Sequence, residues 1–490
     1  MTAPAETYVP DPRRWRGLAI CLVAGFMTLL DVSIVNVALP SMQNGLNASA
    51  ADLSWVVSGY ALTFGLVLVP SGRLGDQHGR TRMFLLGVGL FTATSALCGA
   101  APTATLLVAA RLLQGMACGL LNPQVVGMIQ VLFRGKERGR AFGLYGAVIG
   151  ISTAIGPLAG GLLLQAAGAQ DGWRWVFYVN LPIGIAAIIG GWRLLPRDKP
   201  SGGRQSLDLV GAVLLGLGIV GVMYPLIEAE QGAANAHWWL LVIGAVLLAA
   251  FFAWEVRFAR RGHPPLVNLK LMRNHGYAIG VGIGLLYFAG FTGIFFVMTL
   301  FYQRGLAYSP LEAGATMLSF AIGSAASAWL GGRYVFRFGR AMIVLGLVLV
   351  ALGLTGTALL VAYYTGAHAG LINSIPLLVA GIGSGIVISP NQTLTLDDVP
   401  PAEGGTAAAV LQTGQRIGSA MGTAVAGSLF FGELTSTHGD FHASATQALW
   451  GSVALVGVAL LAGIADMVRG KVITRTAGSA EKLDGVPGAT

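Results

Sequence analysis

The sequence predicts an all-α polytopic membrane protein of fourteen spanning helices, arranged as six, two and six with both termini in the cytoplasm. Three observations predict it. The 490 residues are 54% hydrophobic and 10% charged, with a mean hydropathy of +0.70, far from the composition of a soluble domain. The apolar residues gather in runs of about 20, the length that crosses a ~30 Å hydrocarbon core. The basic residues fall in every second connection between those runs. The 71 glycines suit the same reading, because helices in lipid associate through close backbone packing at small residues.

The elements follow in order. Helix 1, near 17–39, comes after Arg13, Arg14 and Arg16. It is too long for a signal peptide, contains Asp31 and lacks a cleavage site, so it is expected to stay. Helix 2, near 53–71, stops where Gly72-Arg73-Leu74-Gly75-Asp76-Gln77-His78-Gly79-Arg80 begins. Helices 3 and 4 are expected near 82–101 and 104–122, the latter holding Arg111-Leu112-Leu113-Gln114-Gly115. Helix 5, near 140–165, contains Gly156-Pro157-Leu158-Ala159-Gly160-Gly161. Its proline removes a helical hydrogen bond and should bend it, and Gly160 and Gly161 should admit a close neighbour. Helix 6 lies near 174–195, and helices 7 and 8 near 207–227 and 238–256. The last six are expected near 276–301, 311–331, 341–363, 371–395, 404–431 and 445–468.

Charge sets the orientation. Arg73, Arg80 and Arg82 separate helices 2 and 3; Arg134, Lys136, Arg138 and Arg140 separate 4 and 5; Arg193, Arg197, Lys199 and Arg204 separate 6 and 7. Arg257, Arg260, Arg261, Lys270 and Arg273 follow helix 8, and Arg333, Arg337 and Arg340 follow helix 10. The opposite connections carry Arg174 and Arg304 beside Asp171, Glu228, Glu230, Glu433 and Asp440. By the positive-inside rule the first set is cytoplasmic. Asp397, Asp398 and Glu403 make one cytoplasmic connection acidic, and acidic residues weigh little in that rule. The net charge of +9 is therefore a topology signal, and no basic patch with interleaved aromatics argues for nucleic acid.

A weak internal repeat divides the chain. Gly332-Arg333-Tyr334-Val335-Phe336-Arg337-Phe338-Gly339-Arg340 lines up with Gly72 to Arg80, with Phe336 in the place of Asp76. Two parallel six-helix repeats follow, with a binding site between them near the midplane. The expected divisions are a tail at 1–16, a bundle at 17–199, an inserted helix pair at 200–262, a second bundle at 263–468 and a tail at 469–490.

The three quoted stretches, together with Leu30-Asp31-Val32-Ser33-Ile34-Val35-Asn36-Val37-Ala38-Leu39-Pro40, Trp55 with Tyr60, and Trp173-Arg174-Trp175-Val176-Phe177-Tyr178-Val179-Asn180-Leu181-Pro182, resemble the fourteen-helix drug:proton antiporters of the major facilitator superfamily. The likeness runs from helix 1 to helix 14. Gln77 and Thr81 depart from it, standing where basic residues are usual. The resemblance implies a proton-coupling role for Arg111, a gating role for Asp76 with Gly72, Gly79 and Arg80, and export as the direction marked by the Gly156, Pro157, Gly160, Gly161 motif.

The residues carry their own argument. Asp31 is a carboxylate inside an apolar helix, costly unless paired, hydrated or protonated, and such groups mark ion pathways or relays. A buried acid paired for packing is the other reading. Arg111 reaches a similar depth from the outer ends at 1.5 Å per residue. Arg111, Gln114, Cys118 and Asn122 share one face of helix 4, expected to face the cavity; the alternative for Arg111 is interhelical glue. On helix 13, Gly414, Gly418 and Gly422 form a small-residue contact face, while Gln412, Thr413, Arg416, Ser419 and Thr423 gather on another. Arg416, expected at the outer level of Asp31 and Arg111, either meets an anionic substrate group or bonds to helix 12 near Asn391 or Gln392. Asp76 is expected in a wet loop, either capping the N-terminal end of helix 13 near Gly404 or serving a tight turn. Aromatic contacts to substrate in the cavity are expected from Tyr60, Phe64, Tyr287, Phe291 and Phe295, with packing or lipid contact as the alternative, and Gln114, Asn391, Gln412 and Arg416 are the polar candidates for the same cavity.

No enzyme is expected. The sequence has no HExxH, GxSxG or P-loop, no histidine well inside a helix, and three cysteines, Cys21, Cys98 and Cys118, without metal or disulfide spacing. Neither a cofactor nor a metal is expected, so an ion gradient must supply the energy. The leading expectation is a proton-coupled antiporter in a bacterial-type cytoplasmic membrane, acting as a monomer and exporting small amphipathic compounds, with neutral, zwitterionic or weakly charged ones favoured. The alternatives are a dedicated exporter of a lipid or one metabolite, and a non-transporting receptor of the same fold.

Overall fold

The structure is a computed structural model that describes residues 10–168, 171–196, 208–229, 236–364 and 368–484. Arg197, Lys199, Arg204 and Glu230 lie outside the described residues, as does the division at 199/200. Among the described residues fourteen helices are long and apolar enough to cross a membrane. They are α1 (Arg14–Leu46), α2 (Ala50–His78), α3 (Arg80–Ala100), α4 (Ala104–Leu132), α5 (Gly135–Ala167), α6 (Gly172–Leu194), α7 (Leu209–Ala229), α8 (Trp239–Arg260), α9 (His275–Gly305), α10 (Pro310–Phe338), α11 (Arg340–Tyr363), α12 (Ala369–Thr395), α13 (Gly404–Ser436) and α14 (Phe441–Asp484). Most run past the apolar stretches, because charged and polar side chains at their ends still find partners there. α6 is interrupted at Val179, and α9 closes in a π turn over Phe301–Gly305.

Packing repeats with the sequence. α1 lies on α5 and α6, α2 on α4, and α3 on α4 and α6. Eight helices later the same pattern returns: α9 on α13 and α14, α10 on α12, α11 on α12 and α14. The halves meet along two related seams, α5 against α10 and α12, and α13 against α2 and α4. α7 and α8 pair with each other, and α7 leans on α2 and α13 from outside.

Small residues set these distances. A Cβ on Gly418 would stand 2.1 Å from the Leu285 carbonyl oxygen, and one on Gly422 2.1 Å from that of Ala289, so this face of α13 touches α9 backbone to backbone. On the α5–α10 seam a Cβ on Gly332 would come within 2.2 Å of the Gly139 carbonyl. Gly156 sits against Ser33 and Gly160 against Ile34, both on α1, whereas Gly161 has nothing within 4 Å. The expectation that Gly161 admits a neighbour is thus corrected: one residue on from Gly160, about 100° round the helix, it turns away from that contact into open space. Gly418→Val should cost about 1–3 kcal/mol or more through overpacking against a backbone that cannot move aside. Gly161→Ala should leave stability within about 0.5 kcal/mol. Thermal melts of the purified variants check both.

Candidate functional site

Two sites emerge, one inside the first bundle and one across its basic end. In the first, α1, α3, α4 and α6 converge on Asp31. Its Oδ2 accepts from Arg111 Nη1 at 2.6 Å, and its Oδ1 from Gln114 Nε2 at 3.0 Å and Asn180 Nδ2 at 2.9 Å. Arg111 also donates to Gln114 Oε1 at 2.8 Å and to the Val56 carbonyl at 3.0 Å, and its guanidinium lies 4.1 Å over the Tyr60 ring. Asn180 donates on to Ser95 Oγ at 3.0 Å, and Ser95 to the Phe177 carbonyl. Cys98 closes the group through Gln114 Oε1 at 3.4 Å.

Asp31 and Arg111 are 0% and 1% exposed. Their similar depth on two helices becomes a direct ion pair, which matches the requirement that a charge in hydrocarbon be paired. The expectation that the helix 4 stripe faces a cavity is corrected. Arg111, Gln114, Cys118 and Asn122 are all buried, and Asn122 bonds back to Cys118. A 3.6-residue period identifies a face; it does not say which neighbour covers it. Asn180, Ser95 and Val56 were not singled out by sequence reasoning. Asn180 alone left a signal, as an amide two residues before Pro182 in a membrane helix.

The second site corrects the reading of Gly72 to Arg80 as a wet loop. α2 continues through His78, and only Gly79 turns, at φ 101°. Asp76 therefore projects from the last turns of α2, with its side chain 3% exposed. Its Oδ1 accepts from Gly405 N at 3.0 Å, and its Oδ2 from Thr406 N and Thr406 Oγ1, both at 2.8 Å. Those are first-turn donors of α13, which carry the positive end of the helix dipole. Arg80, at the start of α3, donates to Asp76 Oδ1 through Nε and Nη2 and to the carbonyls of Gly127 and Pro401. Gly72 is required here, since a Cβ would stand 2.6 Å from the Gly405 carbonyl oxygen. Beside it Arg138 joins Asp397 and Gln130, and Gln130 donates to the Leu396 carbonyl at 2.9 Å. The hydropathy run ends at residue 71 because of the charges, but those charges are satisfied by the other half and the helix continues.

The second copy keeps the geometry and loses the charge. Gly339 turns at φ 54° and Arg340 pairs with Asp466 on α14 at 2.8 Å. Phe336, in the place of Asp76, packs over Gly139 on α5.

The cavity candidates divide. Tyr60, Phe64, Gln114, Tyr287, Asn391 and Gln412 are buried. Gln114 belongs to the Asp31 group, Tyr287 donates to Ser384 Oγ at 2.7 Å, and Asn391 donates to the Gly280 carbonyl at 3.0 Å. Phe291 and Phe295 are half-buried; Phe291 stacks on Tyr287 and on Phe320 of α10. Arg416 lies over Phe64, 4.5 Å from its ring centroid and one turn along α2 from Tyr60, on which Arg111 rests.

Among the described residues no group of His, Cys, Asp and Glu is arranged to hold a metal. The model of the Major Facilitator Superfamily matches residues 21–423. The chain is 40% identical over 433 residues to the "Probable actinorhodin transporter" of Streptomyces coelicolor, covering 87% of this chain and 74% of that protein. It is 36% identical over 449 residues to "Puromycin resistance protein pur8" of Streptomyces alboniger, covering 91% and 87%. Among solved structures it is similar to the human organic anion transporter MFSD10 (TETRAN), with a TM-score of 0.65 at 15% identity over 92% of this chain and all of that one. That last likeness concerns the fold alone. A family model covering most of the chain, two relatives above 30% identity and fourteen spans packed as a doubled six-helix pattern lead to one assignment: the chain is a multi-pass membrane protein belonging to the Major Facilitator Superfamily.

Proposed function

We propose that the chain is a proton-coupled antiporter that exports small amphipathic organic compounds by alternating access. In this reading the basic face is cytoplasmic, the halves at 17–199 and 263–468 rock against each other, and the pair at 200–262 stays outside the moving seam. The observation that carries it is the ion pair of Asp31 with Arg111, an expensive arrangement in hydrocarbon, placed in the same half as the Asp76 contact to α13. Movement of the halves can therefore be linked to the pairing of a carboxylate through α2 and α4, which carry Tyr60, Val56 and Arg111 as well as the contact to α13. Names of relatives add the cargo class, since they include a puromycin resistance protein and a tetracenomycin C export protein.

The Asp76 and Arg138 contacts hold the halves together on the basic face, so in this reading the conformation is closed toward the cytoplasm. Proton binding at Asp31 requires the donors of Arg111, Gln114 and Asn180 to release it, and a chain that couples that release to substrate exchange converts a pH gradient into export. The test is reconstitution into liposomes with a pH step as the sole energy source. Substrate should accumulate against its own gradient and protons should move the opposite way; accumulation that persists without a pH difference refutes the coupling.

A further inference from the structure

Asp31 and Arg111 compensate each other, which leaves one deep cation to account for. Arg416 lies near the middle of the 33-residue α13 and takes part in no ion pair among the described residues. Its guanidinium crosses the seam between the halves to rest on Phe64 of α2, and it is within Coulombic reach of Cys118 on α4 and Tyr145 on α5. Three helices of the first half thus approach a half-buried charge carried by the second, with no counter-ion among the described residues. A ring face returns only part of the hydration that a guanidinium gives up inside a bilayer.

A further observation points to a ligand. Gln412, one turn from Arg416, is 6% exposed, and its Oε1 has no hydrogen-bond partner. Thr292 of α9 donates to Ser419 of α13 at 3.1 Å, so α9 lies against the helix that carries Arg416. The seam therefore offers a cation, an unpartnered amide oxygen and the ring of Phe64, and among the described residues no carboxylate within ion-pairing distance of the cation.

We propose that Arg416 is the counter-ion for an organic anion, and that the transported compounds are aromatic carboxylates. The planar guanidinium can donate two parallel N–H bonds to a carboxylate, the unpartnered Oε1 of Gln412 can accept from a hydroxyl on the same compound, and the ring system lies against Phe64. This inference rests on the export reading and names the substrate class of that cavity. It narrows the expectation of neutral, zwitterionic or weakly charged cargo, which counted Asp31 as the deciding charge, to weakly charged anions.

The test is equilibrium binding to the purified full-length protein at one pH, with no gradient. Fluorescein and rhodamine 123 share a xanthene–phenyl skeleton and carry opposite charge. The wild type should bind fluorescein at least about tenfold more tightly than rhodamine 123. Arg416→Gln should weaken fluorescein binding by about ten- to a hundredfold, as for loss of a charged hydrogen bond, leave rhodamine 123 binding unchanged or tighter, and Arg416→Lys should keep most of the preference. A measurement on the wild type alone covers the case in which Arg416→Gln does not fold: naphthoic acid should displace fluorescein and its methyl ester should not. Equal binding of the two dyes, equal weakening of both in Arg416→Gln, or displacement by the ester as strong as by the acid overturns the proposal. Because no gradient is applied, a failure of proton coupling leaves these ratios untouched, and a failure here leaves coupling open.

Discussion

Asp31→Asn is expected to abolish pH-driven accumulation in proteoliposomes, with uptake falling to the level of protein-free vesicles. An inward gradient of one pH unit is worth about 1.4 kcal/mol per proton, and it reaches the substrate only through a group that binds the proton in one state and not in the other. Asparagine keeps the volume of Asp31 and removes that ability. The structure adds a cost that the isosteric argument alone misses: the substitution leaves Arg111 at 1% exposure without a counter-charge, and stranding one member of a buried pair costs about 3–5 kcal/mol. The melting temperature should therefore fall as well. The double variant Asp31→Asn with Arg111→Gln removes both charges and should recover most of the stability while remaining uncoupled. Recovery of stability together with recovery of driven uptake would show that the proton passes elsewhere, with Glu403, which accepts from Asn268 at 2.9 Å beside the start of α13, the next carboxylate to examine.

Asp76→Asn should give the second large effect. The carboxylate accepts five hydrogen bonds, two from Arg80 and three from the first turn of α13. An asparagine retains one acceptor oxygen and turns an N–H group toward donors. Bonds to a charged group are worth about 1.5–3 kcal/mol each, so the closed arrangement of the basic face should lose several kcal/mol of its advantage while each half keeps its own core. A cysteine introduced at Ala409, which is 0% exposed beneath Gly72, should react with a membrane-impermeant maleimide from the basic face at least about tenfold faster in this background. Driven uptake should drop. An unchanged labelling rate with normal uptake would reduce Asp76 to a helix-terminal residue without a gating role.

The parts of this molecule that were legible in the sequence are those set by one helix at a time. Length and hydropathy located all fourteen spans, since each must satisfy its backbone internally and fill the same thickness of hydrocarbon. Charge asymmetry and the Gly72 and Gly332 stretches exposed the doubling. Asp31 and Arg111 stood out because each is costly alone, and that cost pointed to a partner. What was not legible depends on the rotation of one helix against another. Gln114 and Tyr287 carry the polar and aromatic character expected of a cavity wall, yet their contacts point into the bundles. Asn180 and Ser95 are ordinary polar residues until α6 and α3 are brought against α1. The end of α2 was misplaced for a related reason: hydropathy falls at Arg73 and Asp76, but a helix persists where a neighbouring half supplies the donors that water would otherwise provide.

The replacement of Asp76 by Phe336 in the second copy has a mechanical consequence. The two seams occupy equivalent positions, but one is fastened by charge and the other by contact between glycine backbones, at Gly139, Gly143 and Gly332. Contacts of the second kind change little when two surfaces roll on each other by a few degrees, whereas a carboxylate aimed at a helix terminus is either engaged or free. In the proposed alternating access the molecule would then work like a book, with α5 and α10 as its spine and the meeting of α2 with α13 as its clasp, its covers parting from the clasped edge.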